Sequence, residues 1–488
     1  MSSQSLSSKR FHRAQLAISR RKMLELSGLG LGSLAFASLK ADERPQGGTE
    51  SPRGHDLRPK MPHFRPRAKA VILLMQNGAP SQMDLFDPKP ELNKRDGHVH
   101  VEKVETFQKG SESNKLAGTP FTFRRYGQCG MDFSDQVPHL ATMADTWCMV
   151  RSMHTYHNNH TEALVIFTTG KFLHGRPTLG SWVSYALGTE NQNMPAFVVL
   201  RDPTTYNNNG TRLWENGWLP ALYRGTEFDS GAGRAPVLNL QPARSLPAGL
   251  QRDNLALLRE LNQRYLDRHP HESDLEARIV NYELAARMQL EAIQVADVSR
   301  ETKATRRVYG LDNDQTASYG MRCLLARRLV EAGVRFVQVL QPGHQPWDSH
   351  KDTKGKIGAI ARQVDLPSAG LVNDLKARGL LDETLVIWGG EFGRLPVSQN
   401  GTGRDHNRNA FTLLFAGGGL KQGFTYGSTD DFGYRAVENP VSISDLHATI
   451  LHQLGLDHWE LTYPHAGRDD TLTDPTLTEA TVVEDLLA

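Results

Sequence analysis

Short, unbroken apolar runs punctuate the chain, each closed by glycine or by a cluster of polar residues. They are Ala70–Met75 (AVILLM), a stretch around Trp147–Arg151, Ala196–Leu200 (AFVVL), Arg335–Leu340 (RFVQVL), Leu385–Trp388 (LVIW) and Phe411–Phe415 (FTLLF). Runs this short and this apolar predict strands buried on both faces, as in a parallel sheet. Between them the apolar positions shift to helical spacing. Helices are predicted over Val137–Ala144, Glu162–Thr169 (closing at Gly170), Tyr319–Ala332, about Ile357–Arg378 and Ser442–Leu454, with two or three amphipathic helices across 251–303. The alternation of strand and helix predicts an α/β fold with a doubly wound, largely parallel sheet and helices on both faces. Residues 88–130 are polar and read as a surface excursion. The Gly-, Pro-, Asn- and Arg-rich stretch 201–250 opens an irregular and helical insertion, about 201–310, placed to cover a site. One domain over 67–480 holds all of these elements.

The polar clusters recur where the predicted strands end. Asn77 follows the first strand, the group from His157 to Thr161 the second, His344, Asp348 and His350 a later one, and Glu391 the strand Leu385–Trp388. Arg404-Asp405-His406-Asn407 comes just before Phe411–Phe415, expected as one more strand of the parallel set. In open α/β sheets ligands sit beyond the carboxyl ends of the strands. A lone Asp-His pair is as often a turn; a repeated set of carboxylates and imidazoles at one edge points to a cation, zinc or one of its neighbours.

Composition adds limits. Of 488 residues 39% are hydrophobic and 23% charged, an ordinary soluble globular balance. The net charge of +2 comes without a basic stripe, which argues against nucleic acid as a partner. The first residues differ in character: Lys9, Arg10, His12 and Arg13 precede Ser19-Arg20-Arg21-Lys22 and the apolar run Leu26–Ala37. This pattern predicts a twin-arginine export signal over 1–41, cut after Ala37 or Ala41, and a periplasmic or cell-surface protein. The run is too short and too rich in Gly and Ser for a stable membrane span. Residues 42–66 are expected as a flexible mature N-terminus. Three cysteines allow at most one bridge, Cys129 with Cys148, the alternative being burial as small apolar side chains. Gly417-Gly418-Gly419 lacks the later glycine and helix of a nucleotide-binding loop and reads as a turn.

Three segments, AVILLMQNGAPSQMDLFDPKP, WDSHKD and DETLVIWGGEFGRLP with GRDHNRNAFTLLFAGGGLKQG and DLHATILHQLGLD, resemble the exported bacterial family known as domain of unknown function 1501. The resemblance runs from about residue 67 to 475. It implies a sulfatase-like fold of the alkaline phosphatase superfamily, with a nucleophile and one or two metals at the carboxyl edge of the sheet. It also implies Asn77 at a first ligand position, His160 and Thr161 where a nucleophile opens a helix, Asp348 and His350 as ligands, Glu391 and Phe392 at an Asp-His position, and His406 as the last ligand. Asn77 carries no charge and Phe392 cannot ligate, so one cation is expected rather than two. No C/S-x-P-x-R segment is present, which argues against a formylglycine sulfatase.

The expected chemistry is therefore hydrolysis of phosphate or sulfate esters of small molecules or glycans. One divalent cation, zinc or manganese, would be held by Asp348, His350 and His406 with Asp405 or Glu391 nearby. The candidate nucleophile is Thr161 or a metal-activated water; Thr161 also reads as a helix N-cap. His157 or His160 would add a ligand or protonate the leaving group, and Arg394 or Arg404 would clamp the anion. The alternative is a non-catalytic binding or structural protein on the same fold.

Overall fold

The structure, a computed structural model, describes residues 56–231, 237, 248–268 and 273–488. The expected export signal and residues 42–55 lie outside these. The chain enters the described unit already packed, unlike the flexible segment expected up to residue 66. Leu57 is buried, and the main-chain N–H groups of Lys60 and Phe64 donate to the carbonyls of Leu187 and Gly455 at 3.1 Å each.

Among the described residues nine strands build the main sheet. In chain order the strands that matter here are β1 (Ala70–Met75), β2 (Trp147–His154), β3 (Phe197–Leu200), β4 (Thr226–Phe228), β5 (Phe336–Leu340), β6 (Thr384–Gly389), β7 (Gly393–Gln399), β8 (Gly403–Asn407), β9 (Phe411–Ala416), β10 (Phe424–Tyr426) and β11 (Val441–Ser442). The sheet runs β10-β2-β9-β6-β1-β5-β3-β4, with β11 on β2, while β7 and β8 form a separate two-stranded ribbon. β1 lies between β5 and β6, parallel to both, and all six of its residues are buried. The longer helices are α1 (His160–Thr169), α2 (Leu179–Leu187), α3 (Ala248–Leu266), α4 (Ser273–Ala296), α5 (Asp314–Glu331), α6 (Thr353–Ala377) and α7 (Ile443–Gln453). No helix of the described residues is long and apolar enough to cross a membrane.

One strand departs from the parallel reading: β9 is antiparallel to both β2 and β6. A buried strand is apolar whichever way it runs, so composition does not reveal direction. The connection does. Between β6 and β9 the chain forms only the β7–β8 ribbon, and without a crossover helix it returns antiparallel. The start of β9 therefore lies at the edge where the parallel strands end, which is how His406 reaches that edge. The stretch after β3 is less irregular than expected, because Thr226–Phe228 joins the sheet beside β3 before α3 and α4.

The turn after β9 is built from three successive glycines, Gly417, Gly418 and Gly419, at φ 71°, 57° and 79°. A side chain at 418 would come within 2.7 Å of Leu385 Cβ, so the turn requires glycine both for its handedness and for space. All three cysteines are free; Cys148 and Cys323 are buried and Cys129 is exposed.

On α7, His447 is fully buried, and its Nε2–H donates to the Phe167 carbonyl at 3.0 Å. Burial pushes this imidazole down to about 4, against the opposing pull of that carbonyl. A base lowered in the folded state contributes stability that is complete above the unfolded value and lost as pH falls towards the folded one. Between pH 6.5 and 4 the loss is expected to reach about 3 kcal/mol. Urea midpoints across that range should fall for the wild type and flatten for His447→Gln; equal slopes would remove His447 as the cause.

Candidate metal centre

Four elements deliver side chains to one point. Asn159 caps α1, so His160 is its first helical residue, and Gly170 ends it at φ 78°. Asp348 and His350 stand on the loop after β5, Glu391 follows β6, and His406 is on β8. The Nε2 atoms of His160, His350 and His406 lie 3.3, 3.0 and 3.3 Å from Asp348 Oδ1. The Nε2 atoms of His350 and His406 are 3.1 Å apart.

The other face of each ring is fixed. His160 Nδ1 is 2.5 Å from Glu391 Oε1, His350 Nδ1 is 2.6 Å from Gln399 Oε1, and His406 Nδ1 is 2.6 Å from the Asn158 carbonyl. Gln399 Nε2 donates to the Lys109 carbonyl at 2.9 Å, which turns its oxygen towards His350. With an acceptor on every Nδ1, the hydrogen of each neutral ring sits there and the Nε2 lone pairs face inward. Two such lone pairs 3.1 Å apart, beside a carboxylate oxygen, repel unless positive charge lies among them. Burial lowers His406 to about 3, with the Arg394 and His160 charges adding to the shift and the Asp348 bond opposing it, so this ring is neutral at ordinary pH. For Asp348 burial acts upward but loses to the three imidazoles gathered on its Oδ1 and to the charge of Arg394, which hold the carboxyl well below the usual range. Burial acts to lower His160, but the two carboxylates beside it, Glu391 on Nδ1 and Asp348 near Nε2, outweigh it and raise the ring.

The surroundings suit a cation. Asp348, Glu391 and Asp405 bring three carboxyl groups to the cluster, and Arg394 sets its guanidinium against Asp348. Glu391 Oε2, both amide atoms of Asn77 and His160 Nε2 are buried without a hydrogen-bond partner. The donor set of imidazole and carboxylate is that of zinc and its neighbours. Asp348 with His160 and His406, and Asp405 with His350 and His406, are the groupings whose ligand atoms fall within 4.8 Å of one another.

Several expected residues sit elsewhere. Arg404 is spent on structure rather than on an anion: its Nε and Nη2 pair with the two oxygens of Asp84 at 2.7 and 3.1 Å, and two further N–H groups reach the Leu395 and Gly118 carbonyls. A β-bulge between Arg404 and His406 breaks the two-residue alternation that would have set them on one face. Arg394, directly across the ribbon from His406, takes the place beside the cluster, bonding Asp348 Oδ1 at 2.7 Å and the carbonyls of Gly78, Ala79 and Arg404. It neutralises Asp348, and four of its five N–H groups are already bonded. Thr161 is not the cap; it is the second helical residue, and its carbonyl accepts from Asn209 Nδ2 at 2.7 Å. His157 is 40% exposed and accepts the Asn159 N–H. Asn77 is at the expected edge, fully buried, and the neighbouring Gly78 N–H donates to Glu391 Oε1 at 2.9 Å.

Asp405 has a second task. Its Oδ2 accepts the N–H groups of Phe107 and Gln108, at 2.8 Å each, and its Oδ1 accepts that of His406. This pins a strap across the cluster, with the Phe107 ring stacked on His406 at 4.9 Å and 17°. The sequence marked these residues only as part of a surface excursion. Phe107 precedes Asp405 by 298 positions, and no local pattern signals the contact.

These features define an α/β protein with a histidine- and carboxylate-lined centre at the carboxyl edge of its sheet. Residues 68–487 match the family described as "Protein of unknown function (DUF1501)", and the chain belongs to that family. No curated protein matches the sequence. Three of the solved structures to which the chain is similar, all at low identity, show the range. One is the PsFucS1 sulfatase from Pseudoalteromonas sp. (12% identity, 87% of this chain and 71% of that one, TM-score 0.33). Another is the phosphonate monoester hydrolase SpPMH from Silicibacter pomeroyi (13%, 71% and 73%, TM-score 0.31). The third is an alkaline phosphatase from the Antarctic bacterium TAB5 (10%, 81% and 99%, TM-score 0.31). Likeness at this level assigns no chemistry, which rests on the residues themselves.

Proposed function

We propose that the protein is a metal-dependent hydrolase of phosphate or sulfate esters, using one divalent cation, zinc or manganese. The observation that carries the reading is the pair of inward-facing Nε2 atoms of His350 and His406, 3.1 Å apart beside Asp348 Oδ1, whose Nδ1 hydrogens are already bonded away. Asp348, His350 and His406 would hold the cation, with Asp405 next to them. When bound, it supplies Lewis acidity to an ester oxygen. Asn77 supports the reading as a buried amide with both atoms free for a substrate oxygen or for the cation. Arg394 keeps Asp348 ionised, and the strap under Phe107 limits water on the His406 side. The paired Arg20-Arg21 ahead of an apolar run supports export by the twin-arginine route, which would deliver the protein folded and loaded.

The test is turnover of p-nitrophenyl phosphate and p-nitrophenyl sulfate by protein reconstituted with zinc or manganese. Hydrolysis of one ester, abolished by a chelator and restored by the metal, is expected. A loaded protein that turns over neither ester would transfer the assignment to a binding protein on the same fold.

A further inference from the structure

The three histidines are not equivalent, and the difference assigns one of them a separate task. His350 and His406 rest their Nδ1 atoms on neutral acceptors, an amide oxygen and a main-chain carbonyl. His160 rests its Nδ1 on a carboxylate, Glu391, at 2.5 Å. Glu391 is fully buried and is itself held by the Gly78 N–H. A carboxylate on Nδ1 makes the opposite nitrogen the most electron-rich of the three and fixes its direction. That nitrogen, His160 Nε2, is buried and has no hydrogen-bond partner; Asp348 Oδ1 lies 3.3 Å away without the alignment of a bond. His160 also opens the ten-residue helix α1, whose amino end favours an incoming anion. The ring is kept in place by Phe392, stacked at 4.7 Å and 29°. Thr161, the hydroxyl nearest in sequence, makes no described contact with the cluster, so the oriented nucleophile at this helix end is nitrogen rather than oxygen.

We propose that His160 Nε2 is the nucleophile, accepting the phosphoryl or sulfuryl group as a covalent imidazole adduct, with Glu391 as its positioning residue. The proposal rests on the hydrolase reading above. In the first step the Nε2 lone pair forms a bond to phosphorus or sulfur, the bond to the ester oxygen breaks, and the departing alkoxide takes a proton from water. In the second a water oxygen forms the new bond, the nitrogen–phosphorus or nitrogen–sulfur bond breaks, and its electron pair returns to Nε2 while the water's proton passes to solvent. Glu391 accepts the Nδ1–H throughout and offsets the positive charge that the ring carries in the adduct.

The experiment uses the full chain loaded with zinc or manganese. It is mixed with p-nitrophenyl phosphate or p-nitrophenyl sulfate and quenched in alkali within the first turnover, because such imidazole adducts are acid-labile. Mass spectrometry of the intact protein is expected to show a gain of one transferred group, mapping to His160 by fragmentation; the ester that labels distinguishes phosphoryl from sulfuryl transfer. In Glu391→Gln the same adduct should form about tenfold or more slowly with KM held, since the nucleophile would be present but less activated. His160→Asn should keep its cation by elemental analysis while losing the adduct. Turnover by the wild type without an adduct on His160, or loss of the cation from His160→Asn, overturns the proposal and leaves the hydrolase reading standing. Loaded wild type that shows neither turnover nor adduct overturns both.

Discussion

Elemental analysis of the purified wild-type chain is expected to return about one equivalent of a divalent transition metal, and of His406→Ala and Asp348→Ala essentially none. His406 is the residue on which the site depends most. Its Nε2 faces both Asp348 and His350, its ring packs against His160 and Phe107, and it is 1% exposed. Alanine there removes a ligand and opens the cluster to water. Asp348→Ala removes the oxygen on which all three imidazoles converge. Loss of a ligand or of its support costs metal affinity by roughly 10–100-fold even at outer positions, so loss of a central one should empty the site during purification. Folded variants that still carry a full equivalent would show that the cation binds elsewhere.

The second large effect concerns stability. Arg394→Met is expected to lower the unfolding free energy by about 3–5 kcal/mol, the usual result of leaving a buried charge without its partner. The guanidinium is fully buried and tied to Asp348, to two carbonyls after β1 and to the carbonyl of Arg404. It therefore joins the first strand's loop, the Asp348 loop and the ribbon. Removing it strands Asp348 and leaves three carbonyls without donors. Urea denaturation of the metal-free wild type and variant, compared at equal ionic strength, is the measurement; a midpoint shifted by only a few tenths of a molar unit would contradict it.

Much of this architecture was readable from the pattern of residues. The strands at 70–75, 336–340 and 384–389 stood out because they are buried on both faces, and that same burial placed polar clusters at their carboxyl ends. The edge rule sufficed to collect His160, Asp348, His350 and Glu391, whereas His406 was singled out by the Asp-His pair in the loop that returns towards Glu391 and by the family resemblance. What escaped depended on features that carry no local signature. The direction of β9 is set by the absence of a helix before it. The exchange of Arg404 for Arg394 turns on one bulge in a five-residue strand. The strap at Phe107 is selected by a carboxylate almost 300 positions later. The reading of Thr161 as a helix cap failed for a related reason. Sequence marks a helix start to within a residue or two, and here the N-cap is Asn159.

The strap bears on how fast the centre exchanges its contents. Gln108 and Phe107 hang from Asp405, while the Lys109 carbonyl takes the amide of Gln399, the residue that orients His350. Three hydrogen bonds and a stacked ring must part before the segment lifts, each bond worth about 1 kcal/mol. A cation behind it would leave at the rate of that opening rather than at the rate set by its own ligands. Occupancy would then be decided early, by whichever metal is at hand as the chain folds, and would persist long after the surrounding concentrations have changed.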